Sequence, residues 1–168
     1  MNEKIDFVLL WVDGNDPKWF AEKNRWDPNY TSESVIRFRD WDNLQYWFRA
    51  VEKFTPWVNR IHFVTYGHLP KFLNTEHPKL HVVKHSDFLQ PDVLPTFNCN
   101  PLELNLHRIP ELSEQFVYFN DDMFLLKSLR PGFFFKKGLP CDRAVFNALI
   151  PNGESLFSLR ANNMALVN

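Results

Sequence analysis

The run Ile5-Asp6-Phe7-Val8-Leu9-Leu10-Trp11-Val12 is nearly unbroken in apolar and β-favouring residues, and five turn-formers, Asp13-Gly14-Asn15-Asp16-Pro17, cut it off. A strand with one wet face alternates apolar and polar residues. A strand without that alternation is covered on both faces, as in a parallel sheet. Three more stretches fit strands: Arg60–Tyr66, Leu80–His85 and Gln115–Phe119. Leu44, Trp47, Phe48, Val51 and Phe54 recur at three and four residues and so line one helix face. Asp42 is expected to cap that helix, with Gln45 as its capping-box partner, and Thr55-Pro56 to end it. A short helix is expected at Pro17–Lys23, then a long loop to Ile36, and one helical turn at Pro70–Asn74. Ser86–Phe97 reads as a proline-rich loop, and Asn100 as the cap of a helix to about Arg108 with Pro101 at its first position. Met123–Phe135 is apolar around a Pro131-Gly132 turn, and Cys141–Asn168 reads as one helix and a loose tail.

Strands alternating with helices, without paired hairpin signals, predict an α/β fold of Rossmann type: a mainly parallel sheet with flanking helices. The 168 residues suit a single domain, 1–168. Nineteen Lys and Arg against twenty Asp and Glu leave a net charge of -1, which argues against a nucleic-acid partner. The apolar run at the N-terminus is far shorter than the roughly 20 residues of a membrane span, so no integral membrane segment is expected. Cys99 and Cys141 are too few for a disulfide framework, which points to buried or idle thiols in a reducing compartment. The cytoplasm, or the inner face of the membrane, is the expected location.

In open α/β sheets ligands bind beyond the carboxyl ends of the strands. The residues there are polar: Asp13-Gly14-Asn15-Asp16, Gly67-His68, His85 with Asp87, and Asn120-Asp121-Asp122. Asp121 and Asp122 sit between a buried strand and another apolar run. Two carboxylates so placed repel and lose hydration, and a divalent cation removes that cost. Carboxylate oxygens suit Mg2+ or Mn2+, and Mg2+ is normally held by one or two carboxylates with substrate phosphates. The alternative is a plain turn with an N-cap Asp. Asp13–Asp16 also has an ordinary turn as its alternative. Glu103 and His107 are four apart on one helix face, though Glu103 could instead complete a capping box with Asn100. His62 and His81 fall inside strands and read as structural. Arg37, Arg39 and Arg49 either solvate the Asp42 helix or supply a fork for a diphosphate. The P-loop, dinucleotide, paired-cysteine and nucleophile-elbow motifs are all absent.

Ordered along the chain, Ile5–Pro17, Arg37-Phe38-Arg39-Asp40, Pro56-Trp57-Val58, Phe63-Val64-Thr65, Leu94-Pro95-Thr96-Phe97, Leu106-His107-Arg108-Ile109 and Phe119-Asn120-Asp121-Asp122 resemble the first two conserved segments of the Stealth family of sugar-1-phosphate transferases. That family includes bacterial capsular polysaccharide phosphotransferases and the catalytic subunit of the animal enzyme that puts N-acetylglucosamine-1-phosphate on lysosomal glycoproteins. The resemblance implies a nucleotide-diphospho-sugar transferase-like fold. It also implies transfer of hexose-1-phosphate from a UDP-sugar donor to a hydroxyl of a glycan acceptor, with Mg2+ or Mn2+, in capsular or cell-surface polysaccharide synthesis. It places Trp11, Asp13, Gly14, Asn15, Arg37 and Asp40 near the nucleotide and Asp121 and Asp122 at metal and diphosphate. Glu103, His107 and Arg108 would lie in the reaction cleft, with His107 the local candidate for the general base. Family members continue through a third and a fourth segment, whereas Asn162–Asn168 looks like the beginning of the third. The chain is therefore expected to be the N-terminal part of a longer catalytic domain, with a downstream histidine as the other candidate base. Two other functions share these features: a metal-dependent glycosyltransferase releasing UDP, and an inert nucleotide-sugar binding module.

Overall fold

The computed structural model describes residues 4–27 and 38–142. Its centre is a four-stranded sheet of β1 (Ile5–Leu10), β2 (Ile61–Thr65), β3 (Leu80–Lys84) and β4 (Gln115–Phe119), in the order β3-β2-β1-β4. All three pairings are parallel, with Leu9 opposite both Phe63 and Phe119. The expected α/β arrangement is the observed one. The chain moves from β1 outward to β3 and then returns to place β4 on the other side of β1. The strand order therefore reverses between β1 and β4, which is where such sheets open a crevice for ligands.

Both faces of β1 are buried, as its unbroken apolar run requires. Phe7, Leu9 and Trp11 pack with Leu44, Trp47 and Val51 of helix α2 (Leu44–Phe54), while Val8 packs on the opposite side with Val64, Val83, Leu102 and Leu106. Each fully buried side chain of this kind contributes roughly 1.5–3 kcal/mol. Helix α1 (Pro17–Trp26) starts at Asp16, whose Oδ1 accepts from the Lys18 and Trp19 N–H groups at 2.8 and 3.3 Å. It runs one turn longer than expected, with Lys23 and Arg25 in its last turn favoured by the helix dipole.

Several local expectations are corrected. Asp42 does not cap α2: it takes φ 53° and gives its N–H to Asp40 Oδ1 at 2.7 Å, and the helix starts after Asn43 without a side-chain cap. The turn over Asp40–Asn43 is too tight for a capping box. Residues 70–74 make a simple turn closed by Leu73 N–H to the Pro70 carbonyl, not a helix. Helix α3 (Cys99–Asn105) is capped by Asn98, which accepts from Asn100 N–H at 3.0 Å, and passes into a 3-10 turn at Leu106–Arg108. Asn100 and Pro101 therefore lie inside the first turn, and Glu103 makes no capping box. A small antiparallel hairpin, β5 (Phe135–Lys136) with β6 (Leu139–Pro140), was not expected; Lys137 and Gly138 at φ 52° and 79° make its turn. Cys99 and Cys141 are exposed free thiols, not buried ones. The helix and tail expected in 141–168 lie almost wholly outside the described residues, as does most of the loop ending at Ile36.

Candidate functional site

The loop after β1 is stitched by its own polar side chains. Asp13 Oδ1 accepts from Asn15 N–H at 2.8 Å, and Asp16 caps α1. His68, from the loop after β2, ties both together: Asp13 N–H donates to its Nε2 at 2.8 Å, and Nδ1 lies 3.2 Å from Asp16 Oδ2. Because Nε2 accepts, the proton is on Nδ1 and is given to Asp16. Gly14 has a different task. A Cβ there would sit 2.4 Å from the Phe38 carbonyl oxygen, so only glycine lets the Phe38–Trp41 backbone cross the end of β1.

That crossing builds one wall of a cavity of about 220 Å³. Asp40 accepts from Trp11 Nε1 at 3.4 Å, and Asp121 and Asp122 line the cavity with it. Arg39 lies over the Trp41 ring, 4.1 Å from its centroid, on the same rim. Burial against the cavity walls, then the Asp122 carboxylate and the more distant Asp40, raise the Asp121 carboxyl above the ordinary carboxylate range. Like charges are gathered here, and among the described residues none of the three carboxylates forms an ion pair, although Arg39 lies on the rim. Among the described residues no three His, Cys, Asp or Glu side chains are arranged to hold a metal. Two carboxylates and an open cavity fit a Mg2+-type ion that takes its other oxygens from substrate and water, and do not fit a closed protein cage.

A larger cavity of about 550 Å³ opens from the same acidic pair. It is lined by the ends of β1 (Leu10 to Val12) and β4 (Tyr118 and Asn120), by Glu103 and Leu102 of α3, and by Trp19, Phe97 and His85. Both cavities thus lie at the reversal between β1 and β4. Tyr118 Oη contacts Glu103 Oε1 at 3.0 Å and also Asn120 Oδ1. One hydroxyl proton serves one acceptor, so the Asn120 amide is better turned to donate its NH2 to Tyr118, leaving Tyr118 to donate to Glu103. Burial, then the Glu103 carboxylate, push the Tyr118 phenol up, so it stays a donor.

Of the residues singled out in the sequence, Trp11, Asp40, Asp121 and Asp122 meet at the smaller cavity, and Glu103 faces the larger one. Asp13, Gly14 and Asn15 shape the loop beside them and line neither cavity. His107 and Arg108 are exposed in the 3-10 turn after α3 and also line neither. Arg37 lies outside the described residues. His62 and His81 are structural, as expected: His62 Nε2 is 3.1 Å from Asp6 Oδ2, and the two histidine Nδ1 atoms are 3.0 Å apart. Two residues are not singled out by the sequence: Asp6 lies within an apolar strand, and Tyr118 within the β4 run; His85 stands out there only for its position after β3.

The models of the Stealth proteins match this chain in two places, conserved region 1 over residues 3–31 and conserved region 2 over residues 37–141. A capsular polysaccharide phosphotransferase WcwK of Streptococcus pneumoniae is 48% identical over 171 residues, covering 100% of this chain and 52% of the relative. An exopolysaccharide phosphotransferase, cps2G, of Lactiplantibacillus plantarum is 46% identical over 165 residues, 98% of this chain and 49% of the relative. A receptor polysaccharide phosphotransferase, WefC, of Streptococcus oralis is 44% identical over 170 residues, again 98% of this chain and 51% of the relative. The chain spans about half the length of these curated relatives. No helix among the described residues is long and apolar enough to cross a membrane.

Proposed function

Because this chain belongs to the Stealth family, we propose that it carries the donor site of a polysaccharide phosphotransferase, which moves hexose-1-phosphate from a UDP-sugar to a hydroxyl of a glycan acceptor. The observation that supports this most is the acidic pair Asp121–Asp122, which lines both cavities at the point where the strand order reverses. A divalent cation that carries a diphosphate fits such a site. Asp121 and Asp122 would hold Mg2+ or Mn2+, which supplies positive charge to the diphosphate oxygens.

In the transfer, the acceptor oxygen forms a bond to the phosphorus next to the sugar, and the bond from that phosphorus to the bridging oxygen breaks. UMP leaves with the electron pair, and the acceptor proton passes to a base. The protein's part is mostly placement. The loop tied by His68 and the Gly14 crossing hold Asp40 and Trp11 against the acidic pair, and Tyr118 fixes Glu103 on the cavity wall. Of Glu103, His107 and Arg108, Glu103 alone lines one of these two cavities, so it is the cleft residue best placed to act on a bound substrate.

The bond that breaks separates this function from its neighbours. With UDP-sugar, Mg2+ and an acceptor glycan, the expected nucleotide product is UMP. UDP without UMP would instead show a glycosyltransferase, and saturable UDP-sugar binding without either product a binding module. Titrating UDP-sugars into the chain with and without Mg2+ tests the donor site separately from turnover.

A further inference from the structure

The larger cavity contains one polar group for which the acidic pair has no use. His85 directly follows β3, at the sheet edge opposite β4, and lines that cavity. It is 8% exposed, and its Nδ1 is fully buried without a hydrogen-bond partner. Nε2 also has no hydrogen-bond partner among the described residues, but unlike Nδ1 it is not fully buried. A buried imidazole left in this state costs stability that a phenylalanine would not.

The ring is nevertheless firmly held. Lys84 N–H donates to Asp87 Oδ2 at 2.7 Å, Leu89 N–H to the His85 carbonyl at 3.0 Å, and the Tyr66 ring meets the imidazole edge-on at 5.6 Å. Burial, then the nearby His68, lower its pKa to about 4, so the ring is neutral at neutral pH and one nitrogen carries the proton. A buried bare lone pair is tolerated more often than a buried unpaired N–H. The proton therefore belongs on Nε2, which becomes a donor without an acceptor.

The position of that donor suggests what it meets. From β4 to β3 the sheet crosses three strand spacings, roughly 14 Å in all. An extended nucleoside diphosphate is of that order of length. Phosphates at Asp121 and Asp122 thus put the base near His85. The wall there is aromatic: Phe97 meets Trp19 at 5.8 Å between centroids and stacks on Tyr66 at 26°. An aromatic wall beside a neutral imidazole donor suits a heterocyclic base, and Lys23, Thr96 and Asn98 line the same cavity.

We propose that His85 reads the base of the nucleotide, with Nε2–H donating to an exocyclic carbonyl oxygen of uracil. This rests on the uridine-nucleotide donor site proposed above. Calorimetric titration of UDP with Mg2+, and of pyrophosphate with Mg2+, into the wild-type chain and its H85F, H85Q and H85N variants tests it, with melting temperatures measured alongside. The expected result is that H85F melts no lower than wild type, binds UDP at least tenfold more weakly and binds pyrophosphate equally well. H85Q, whose amide nitrogen reaches the place of Nε2, should recover more UDP affinity than H85N. Equal UDP binding by wild type and H85F would sink the base-reading role alone. A lower melting temperature with loss of both ligands would mark a structural histidine and overturn it too. Pyrophosphate binding without UDP binding in the wild type would remove the uridine donor site and this role together.

Discussion

The two ends of the parallel sheet use the same residue types in opposite ways. At the start of β1 and β2, Asp6 and His62 are fully buried, and Asp6 accepts from Asn59 Nδ2 at 2.6 Å, from Ser113 N–H at 2.8 Å and from His62. Burial pushes that carboxyl up, but the three partners outweigh it and bring the pKa down to about 2. At the far end, Asp121 faces Asp122 and Asp40, its carboxyl is raised, and the buried Nδ1 of His85 has no partner. Saturated polar groups hold the fold together; of the groups left short of partners, Trp47 Nε1 lies in the core, whereas Asp121 and His85 line the cavities, where a ligand could meet them.

The contrast is sharpest at Asp6. Asp6→Ala leaves the buried His62 and two half-buried donors, Asn59 and Ser113, unpaired, and should cost about 3–5 kcal/mol by urea denaturation. A cost below about 1 kcal/mol would show that this network does not hold the sheet. Because the folded pKa lies below the ordinary carboxylate value, the stabilisation is complete above pH 3.8 and is lost as the pH falls toward about 2. Asp6→Asn should flatten that acid limb.

Next in size is the acidic pair, where the sign reverses. Asp121→Ala and Asp122→Ala should leave the melting temperature unchanged or slightly higher, since each removes a repulsion. Each should weaken Mg2+-dependent UDP-sugar binding ten- to a hundredfold, about 1.4–2.8 kcal/mol. In the wild type, a Mg2+ ion held there would compete with a proton on Asp121, so binding should strengthen as pH rises through its raised pKa. Equal binding by both variants with and without Mg2+ would detach the pair from any metal role.

The smallest effect is expected at Gly14. A methyl group there meets backbone atoms of Phe38, which have little room to yield, so Gly14→Ala should cost roughly 1–2 kcal/mol. It should also quench or shift the Trp11 fluorescence signal as the Trp11–Asp40 contact loosens. An unchanged spectrum together with wild-type stability would mean that the Phe38–Trp41 crossing is not fixed by this glycine.

Much of the architecture was readable one segment at a time. The unbroken run in β1 demanded two covered faces, and the spacing of Leu44, Trp47 and Val51 demanded a helix on one of them, because these patterns record which side chains must leave water. The acidic pair was also legible, since two adjacent carboxylates between apolar runs are costly wherever they fold. Caps were less so: Asn43 stands at the start of α2 in place of the expected Asp42, and Asn98 caps α3 in place of the expected Asn100, because only the neighbouring backbone decides which polar side chain reaches a free N–H.

Hydrophobic periodicity and local charge crowding are properties of neighbours in the chain, so the amino-acid order alone determined an α/β sheet with an acidic rim. Strand order is not such a property. That β4 returns beside β1, that Phe38 crosses over Gly14, and that His85 is stranded without a partner at one end of a cavity while Asp121 crowds the other, were decided only by folding. Whether a polar group finds a partner depends on atoms far away in sequence, and in this protein that distinguishes the saturated Asp6–His62 network from the crowded Asp121 and the unpartnered His85.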